Sequence, residues 1–112
     1  MYEVSVDEVL SNLNVGDVVV GKLRCGMILY SFFEVKGKTK CSVKLQKLGT
    51  RKIGGPQYAY TIEPKVGVYE GSPFTRKVSK WGGCYENGHS STYITLTKKY
   101  NPEHEYNNNF MD

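Results

Sequence analysis

Of the cysteines and histidines, Cys84 and His89 stand nearest to one another, on either side of Asn87-Gly88. A cysteine nucleophile needs a base within hydrogen-bond reach and a third group that orients the base. Asn-Gly between strand-like flanks favours a two-residue hairpin turn, because both central positions take positive φ. That turn pairs Tyr85 with Ser90 and sets Cys84 against Ser91, away from His89, with Glu86 the sole acid close by. The pair therefore reads as a packed cysteine beside a turn histidine. Metal chemistry fails on spacing: Cys25, Cys41 and Cys84 are never closer than sixteen residues, and the histidines are only His89 and His104. Zinc ligands come as close pairs, so no metal site is expected. An odd number of widely spaced cysteines also argues against a disulfide framework and for a reducing compartment. Each is expected to be a small buried hydrophobe. Gly82-Gly83 and Gly54-Gly55-Pro56 lack the flanking strand, helix and Lys-Ser or Lys-Thr of a phosphate-cradling loop and read as turns. The chain reads as a non-enzyme with no catalytic residue and no cofactor.

Binding chemistry is better represented. The net charge of +4 conceals a strong asymmetry along the chain. Residues 1–17 carry four acids and no base, whereas residues 22–52 carry nine bases against Glu34 alone, a segment of about +8. From residue 86 onward the acids Glu86, Glu103, Glu105 and Asp112 outnumber Lys98 and Lys99. An anionic partner is drawn to the middle of such a chain. Aromatic residues interleave with this basic segment: Tyr30, Phe32 and Phe33 come before Lys36 to Lys52, and Tyr58 and Tyr60 follow. Lysine and arginine that meet phosphate, beside aromatic faces that stack on bases, are how small β-barrels hold nucleic acid. The candidate nucleic-acid-binding residues are Lys38, Lys40, Lys44, Arg51 and Lys52 for phosphate, with Tyr58 and Tyr60 for stacking. The competing account is that the lysines keep an edge strand soluble and the aromatics fill a core.

These residues must be positioned by strands. At 112 residues, with 39% hydrophobic and 23% charged side chains, the composition fits one folded domain. Glycines scattered among β-branched and aromatic residues indicate short strands and tight turns. Ser5-Val6-Asp7-Glu8 has the form of a capping box, followed by Val9, Leu10 and Leu13 at helical spacing, which predicts a helix from about Val6 to Leu13. Strands begin at Val18 to Leu23. Met27 to Val35 and Cys41 to Gln46 predict a hairpin turning at Lys36-Gly37-Lys38-Thr39, with Lys44 facing water. Residues 48–57 read as a loop. Tyr58 to Glu63 reads as a strand ended by Pro64, Glu70 to Pro73 as a turn, and Phe74 to Val78 as a short edge strand. Thr92, Ile94 and Leu96 share one face of the last strand. The expected fold is mainly β, a small strongly bent sheet or SH3-like barrel behind a short N-terminal helix. The β-rich domain covers 1–99, and 100–112 is a polar C-terminal tail, mobile or dependent on a partner. The longest apolar runs are a few residues against the ~20 needed to cross a bilayer, and the N-terminus lacks the basic start and apolar block of a secretory signal. A cytoplasmic protein with no membrane contact is expected.

The succession Val15-Gly16-Asp17, Phe32-Phe33-Glu34-Val35, Lys36-Gly37-Lys38, Val43-Lys44-Leu45 and Ser72-Pro73-Phe74-Thr75-Arg76-Lys77-Val78 resembles a family of small uncharacterised β-rich proteins encoded by bacteriophages and mobile elements. The likeness spans roughly residues 15–97 and departs at Arg24-Cys25-Gly26-Met27, where members often carry a tryptophan. It implies a phage-type accessory protein in the cytoplasm of a bacterial host. The leading expectation is a binding module that contacts nucleic acid through the basic aromatic hairpin. The alternative is a phage antagonist of a host (defence) protein, acting by direct contact or by sequestering an anionic nucleotide.

Overall fold

A computed structural model of the chain describes residues 3–24, 26–87 and 91–109. Helix α1 (Val6–Asn12) is followed by strands β1 (Val18–Arg24), β2 (Ile28–Lys38), β3 (Ser42–Gly54), β4 (Ala59–Lys77), β5 (Gly83–Tyr85), β6 (Tyr93–Lys99) and β7 (Tyr106–Asn109). All neighbours pair antiparallel in one sheet of order β3-β4-β7-β2-β1-β6-β5, and β3 also pairs with β2. Hydrogen-bonded neighbours thus run in a circuit from β2 through β3, β4 and β7 back to β2. The last link is the single pair Ile28↔Asn109, supported by the Tyr30 amide, which donates to Asn108 Oδ1 at 2.7 Å. The expected mainly β fold, with a strongly bent sheet and a short N-terminal helix, is what the strands form.

The bend follows from two hydrophobic clusters on opposite faces of β2. Side chains alternate faces along a strand, so the consecutive residues Phe32 and Phe33, both fully buried, point apart. Phe33 joins Val19, Val35, Val43, Leu45, Ile94 and Leu96 beneath α1, while Phe32 joins Leu48, Ile62 and Tyr106. The helix begins as its sequence dictates, with Ser5 Oγ accepting from the Glu8 amide and Asp7 and Glu8 in the first turn, where the helix dipole favours acids. It buries Val9 and Leu10. Thr92, Ile94 and Leu96 share a buried face of β6.

Several local expectations are corrected. Residues 48–54 are strand, not loop: Leu48 is fully buried and Gly49 to Gly54 pair with β4. Here the turn-forming glycines yield to a long partner strand, and only residues 55–58 turn. Pro64 does not end β4 but pairs with Thr50. β7 covers β4 only from Ala59 to Ile62, so Pro64 lies on an edge, where a missing N–H is tolerated. Glu70 to Pro73 is a bulge rather than a turn. The register jumps from Tyr69 to Lys65 and from Phe74 to Glu70 against β3, with Gly67 and Gly71 taking the positive φ that each bulge demands. The β2–β3 turn falls two residues late, at Thr39 to Cys41, where the Thr39 amide donates to Ser42 O; Gly37 marks a bulge instead. The last hairpin pairs Cys84 with Ile94 and Tyr85 with Tyr93, so Cys84 does not oppose Ser91. Gly88, His89 and Ser90, on which the expected turn and the Cys84–His89 approach rest, lie outside the described residues. Over 100–109 the tail is built into the fold: Tyr106 is buried and β7 bonds both β2 and β4.

Gly21 shows how tightly β1 lies against the helix-side core. A Cβ there would meet Thr92 Cγ2 at 2.5 Å and Phe33 Cε1 at 2.8 Å. Gly21→Ala is expected to cost roughly 1–3 kcal/mol by overpacking, read by urea unfolding. Thr92→Ser, which deletes the colliding methyl, should recover part of the loss; an unchanged midpoint for Gly21→Ala would contradict this packing.

Candidate nucleic-acid interface

The residues picked out from the basic segment do not converge. Lys38 and Lys40 lie at the β2–β3 turn, whereas Arg51 and Lys52 lie at the far end of β3, roughly 30 Å away at ~3.3 Å per residue, with Tyr58 in the following turn and Tyr60 at the start of β4. Most are already occupied. Lys38 Nζ donates to the carbonyls of Leu10 and Leu13 at 2.7 Å each. It caps the end of α1, where Leu10 O also accepts from the Leu13 amide, in a helix with no base of its own in the last turn. Arg51 forms an ion pair with Glu63, and Lys52 Nζ sits 5.2 Å from the ring centroid of Tyr60. Tyr60 leans on the Phe32 cluster. Lys40, Lys44 and Tyr58 are exposed, Lys44 on β3 between the other two groups. Lys36, also of this segment, is held by Tyr69 Oη and Glu34, and these bonds raise its pKa.

A different face gathers cations and rings. On β5, β6, β1 and β2 the register aligns Tyr85 with Tyr93, Tyr93 with Lys22, and Lys22 with Tyr30. The four side chains stand in one row on the side of the sheet opposite α1, each half-buried. Tyr85 and Tyr93 meet edge to face, centroids 5.1 Å apart, and Lys22 Nζ lies 5.6 Å from the centre of Tyr30. Tyr93 leans over Gly83: a Cβ there would collide with Tyr93 Oη and with Ile94 O at 2.5 Å. Two hollows flank the row and share Lys22 and Thr95. One of about 670 Å³ is lined by Tyr30, Lys98, Lys99, His104 and Tyr106 among others, and one of about 370 Å³ by Arg24, Tyr85 and Tyr93. No carboxylate lines either hollow among the described residues.

Charge on this face is unevenly committed. Lys99 pairs with Asp17 at 3.0 Å. Burial raises the Asp17 carboxyl, but the Asn14 amide bond and Lys99 outweigh it and hold the group below the usual carboxylate range. Lys22, Arg24 and Lys98 form no ion pair with any described carboxylate. These residues escaped sequence reasoning because they come from both the basic segment and the acidic last third of the chain. Their one local signal is the placement of Lys22 at period two after Val18 and Val20, which puts it in line with a buried face.

Covalent chemistry gains nothing from the geometry. Cys84 is buried, and burial pushes its thiol up to about 11 against a smaller opposing pull from Arg76. Cys41 is exposed, contrary to its expected burial, because it ends a turn rather than facing a core; Cys25 lies outside the described residues. Among the described residues no three of His, Cys, Asp and Glu come together as metal ligands, and no helix is long and apolar enough to cross a membrane. No family model, curated protein or solved structure matches the chain.

Three outcomes follow from these environments. Lys38→Met is expected to lower stability by roughly 1–2 kcal/mol, since it takes the ammonium away from the helix-end carbonyls of Leu10 and Leu13. Circular dichroism melts measure the loss. In a Cys25→Ser background, Cys41 should react with a disulfide reagent at once and Cys84 only on unfolding. Because the Cys84 thiol ionises at higher pH folded than unfolded, its contribution to stability declines as pH rises above its ordinary value toward about 11. Cys84→Ala should flatten that part of the alkaline stability profile.

Proposed function

We propose that this protein is a non-enzymatic binding module for nucleic acid, acting through the tyrosine-lined face of β5, β6, β1 and β2 rather than through the central hairpin. One observation carries the reading: Lys22, Arg24 and Lys98 lack carboxylate partners among the described residues yet share a face with Tyr30, Tyr85 and Tyr93. Cations left without carboxylate partners beside half-buried rings cost self-repulsion, and a polyanion relieves it. The resemblance to phage-encoded proteins supports a role as a phage-type accessory protein in a bacterial cytoplasm.

A second reading, contact with a host protein, is favoured by the bulged arm of β4. There Val66 is 72% and Val68 52% exposed, with Tyr69 beside them, and exposed apolar patches mark interaction surfaces. A partner from nuclease-treated lysate that is lost with Val66→Asp and Val68→Asp but kept with Lys22→Ala would favour it.

Fluorescence anisotropy with labelled DNA and RNA oligonucleotides tests the main reading. Affinity should fall with a log–log salt slope of about −2 to −3, as expected for three or four neutralised phosphates. Lys22→Ala or Lys98→Ala should reduce that slope by about 1. Absence of binding to any oligonucleotide at low salt would overturn the proposal.

A further inference from the structure

We infer that the ligand of this face is single-stranded nucleic acid, with the row Tyr85, Tyr93, Lys22 and Tyr30 serving as a base-stacking platform; the inference rests on the nucleic-acid reading above. Four strands at ~4.8 Å spacing make the row about 14 Å across, enough for two or three bases. The sheet holds this spacing rigidly, since each member is fixed by cross-strand register to the next. Gly83 supplies the clearance that lets Tyr93 lean along the sheet. Tyr30 is braced from behind by Tyr106, edge to face at 5.4 Å, and Tyr106 by His104 at 4.8 Å.

The cations are arranged for a strand that crosses the row. Lys98 and Lys99 rim the larger hollow and Arg24 the smaller, while Lys22 stands where the two meet. A backbone passing from one hollow to the other meets positive charge at both ends and in the middle, with its bases turned down onto the rings. A duplex cannot use this arrangement. Its bases are already stacked on each other and offer the rings no free face. Stacking accepts any base, because each has a π-face, so little sequence preference is expected.

Binding of a twelve-nucleotide single-stranded DNA, the RNA of the same sequence and the matching DNA duplex tests this, with wild type, Tyr93→Leu, Tyr93→Phe and Lys98→Ala. Single strands should bind at least 10-fold more tightly than duplex. Tyr93→Leu should weaken single-strand binding roughly 5- to 100-fold with the salt slope unchanged, whereas Tyr93→Phe, which keeps the ring, should retain most of the affinity. Lys98→Ala should lower the slope instead. Urea midpoints of both Tyr93 variants establish that the compared proteins are folded. Duplex binding as tight as single-strand binding, or a folded Tyr93→Leu that binds as wild type does, overturns the stacking inference and leaves the proposed function standing. No binding of any of the three oligonucleotides overturns both. A preference between the DNA and RNA strands would identify the natural source of the ligand.

Discussion

Everything in this fold hangs on two adjacent phenylalanines. Phe32 and Phe33 are both fully buried, and because neighbours on a strand face opposite ways, β2 must have a core on each side. Antiparallel sheets more often keep one face wet. With both faces of its central strand covered, this sheet has to fold around β2: β3, β4 and β7 close over the Phe32 side, while α1 and the first half of β3 close over the Phe33 side. Each ring removes enough apolar surface from water to contribute about 1.5–3 kcal/mol. The bend is therefore the geometric consequence of one dipeptide, and it leaves β1, β6 and β5 extending beyond the Phe32 core with one face uncovered.

That uncovered face is where the tyrosines are. Tyr30 and Val20 border the Phe32 cluster, and the row beyond them continues the same surface outward with side chains that carry a polar end. Tyrosine suits such a margin, since its ring packs while its hydroxyl stays hydrated. Away from that row, Lys38, Arg51 and Lys52 are tied to carbonyls, a carboxylate and a ring within the fold, whereas Lys40 and Lys44 are exposed with no ion pair to a described carboxylate. The bases above the tyrosine row are not compensated by described carboxylates, Lys99 excepted.

The parts legible in the sequence were those set by short-range rules. The Ser5 cap, the alternation through Val43 and Leu45, and the buried face of Thr92, Ile94 and Leu96 each follow from a local pattern. Long-range pairing overrode local signals elsewhere. Gly49 and Gly54 entered a strand because β4 was long enough to pair with them. Pro64 was accommodated because β7 stops at Ile62. Asn107 to Asn109 became strand because Tyr106 anchors them and Asn108 Oδ1 satisfies the Tyr30 amide, none of which hydrophobic periodicity can announce. The site was hidden for the same reason: a linear charge count placed the cations in residues 22–52, whereas strand order puts Lys22 in one hollow with Lys98 and in a second with Arg24.

The place of the proposed recognition surface on the margin of a core has an energetic consequence. A loop that stacks bases must first lose conformational freedom, which subtracts from affinity, but a row fixed across four hydrogen-bonded strands has already lost it during folding. Tyr30 is held between Lys22 and Tyr106, and Tyr93 between Tyr85 and Gly83, by contacts that also stabilise the sheet. The same packing that lets Gly21 and Gly83 bring strands and rings into close approach thus fixes the spacing of the rings. Stability and the proposed recognition draw on one set of contacts, so the row cannot be loosened without loosening the edge of the domain, and affinity on this face would follow the register of β1 against β2 and β6.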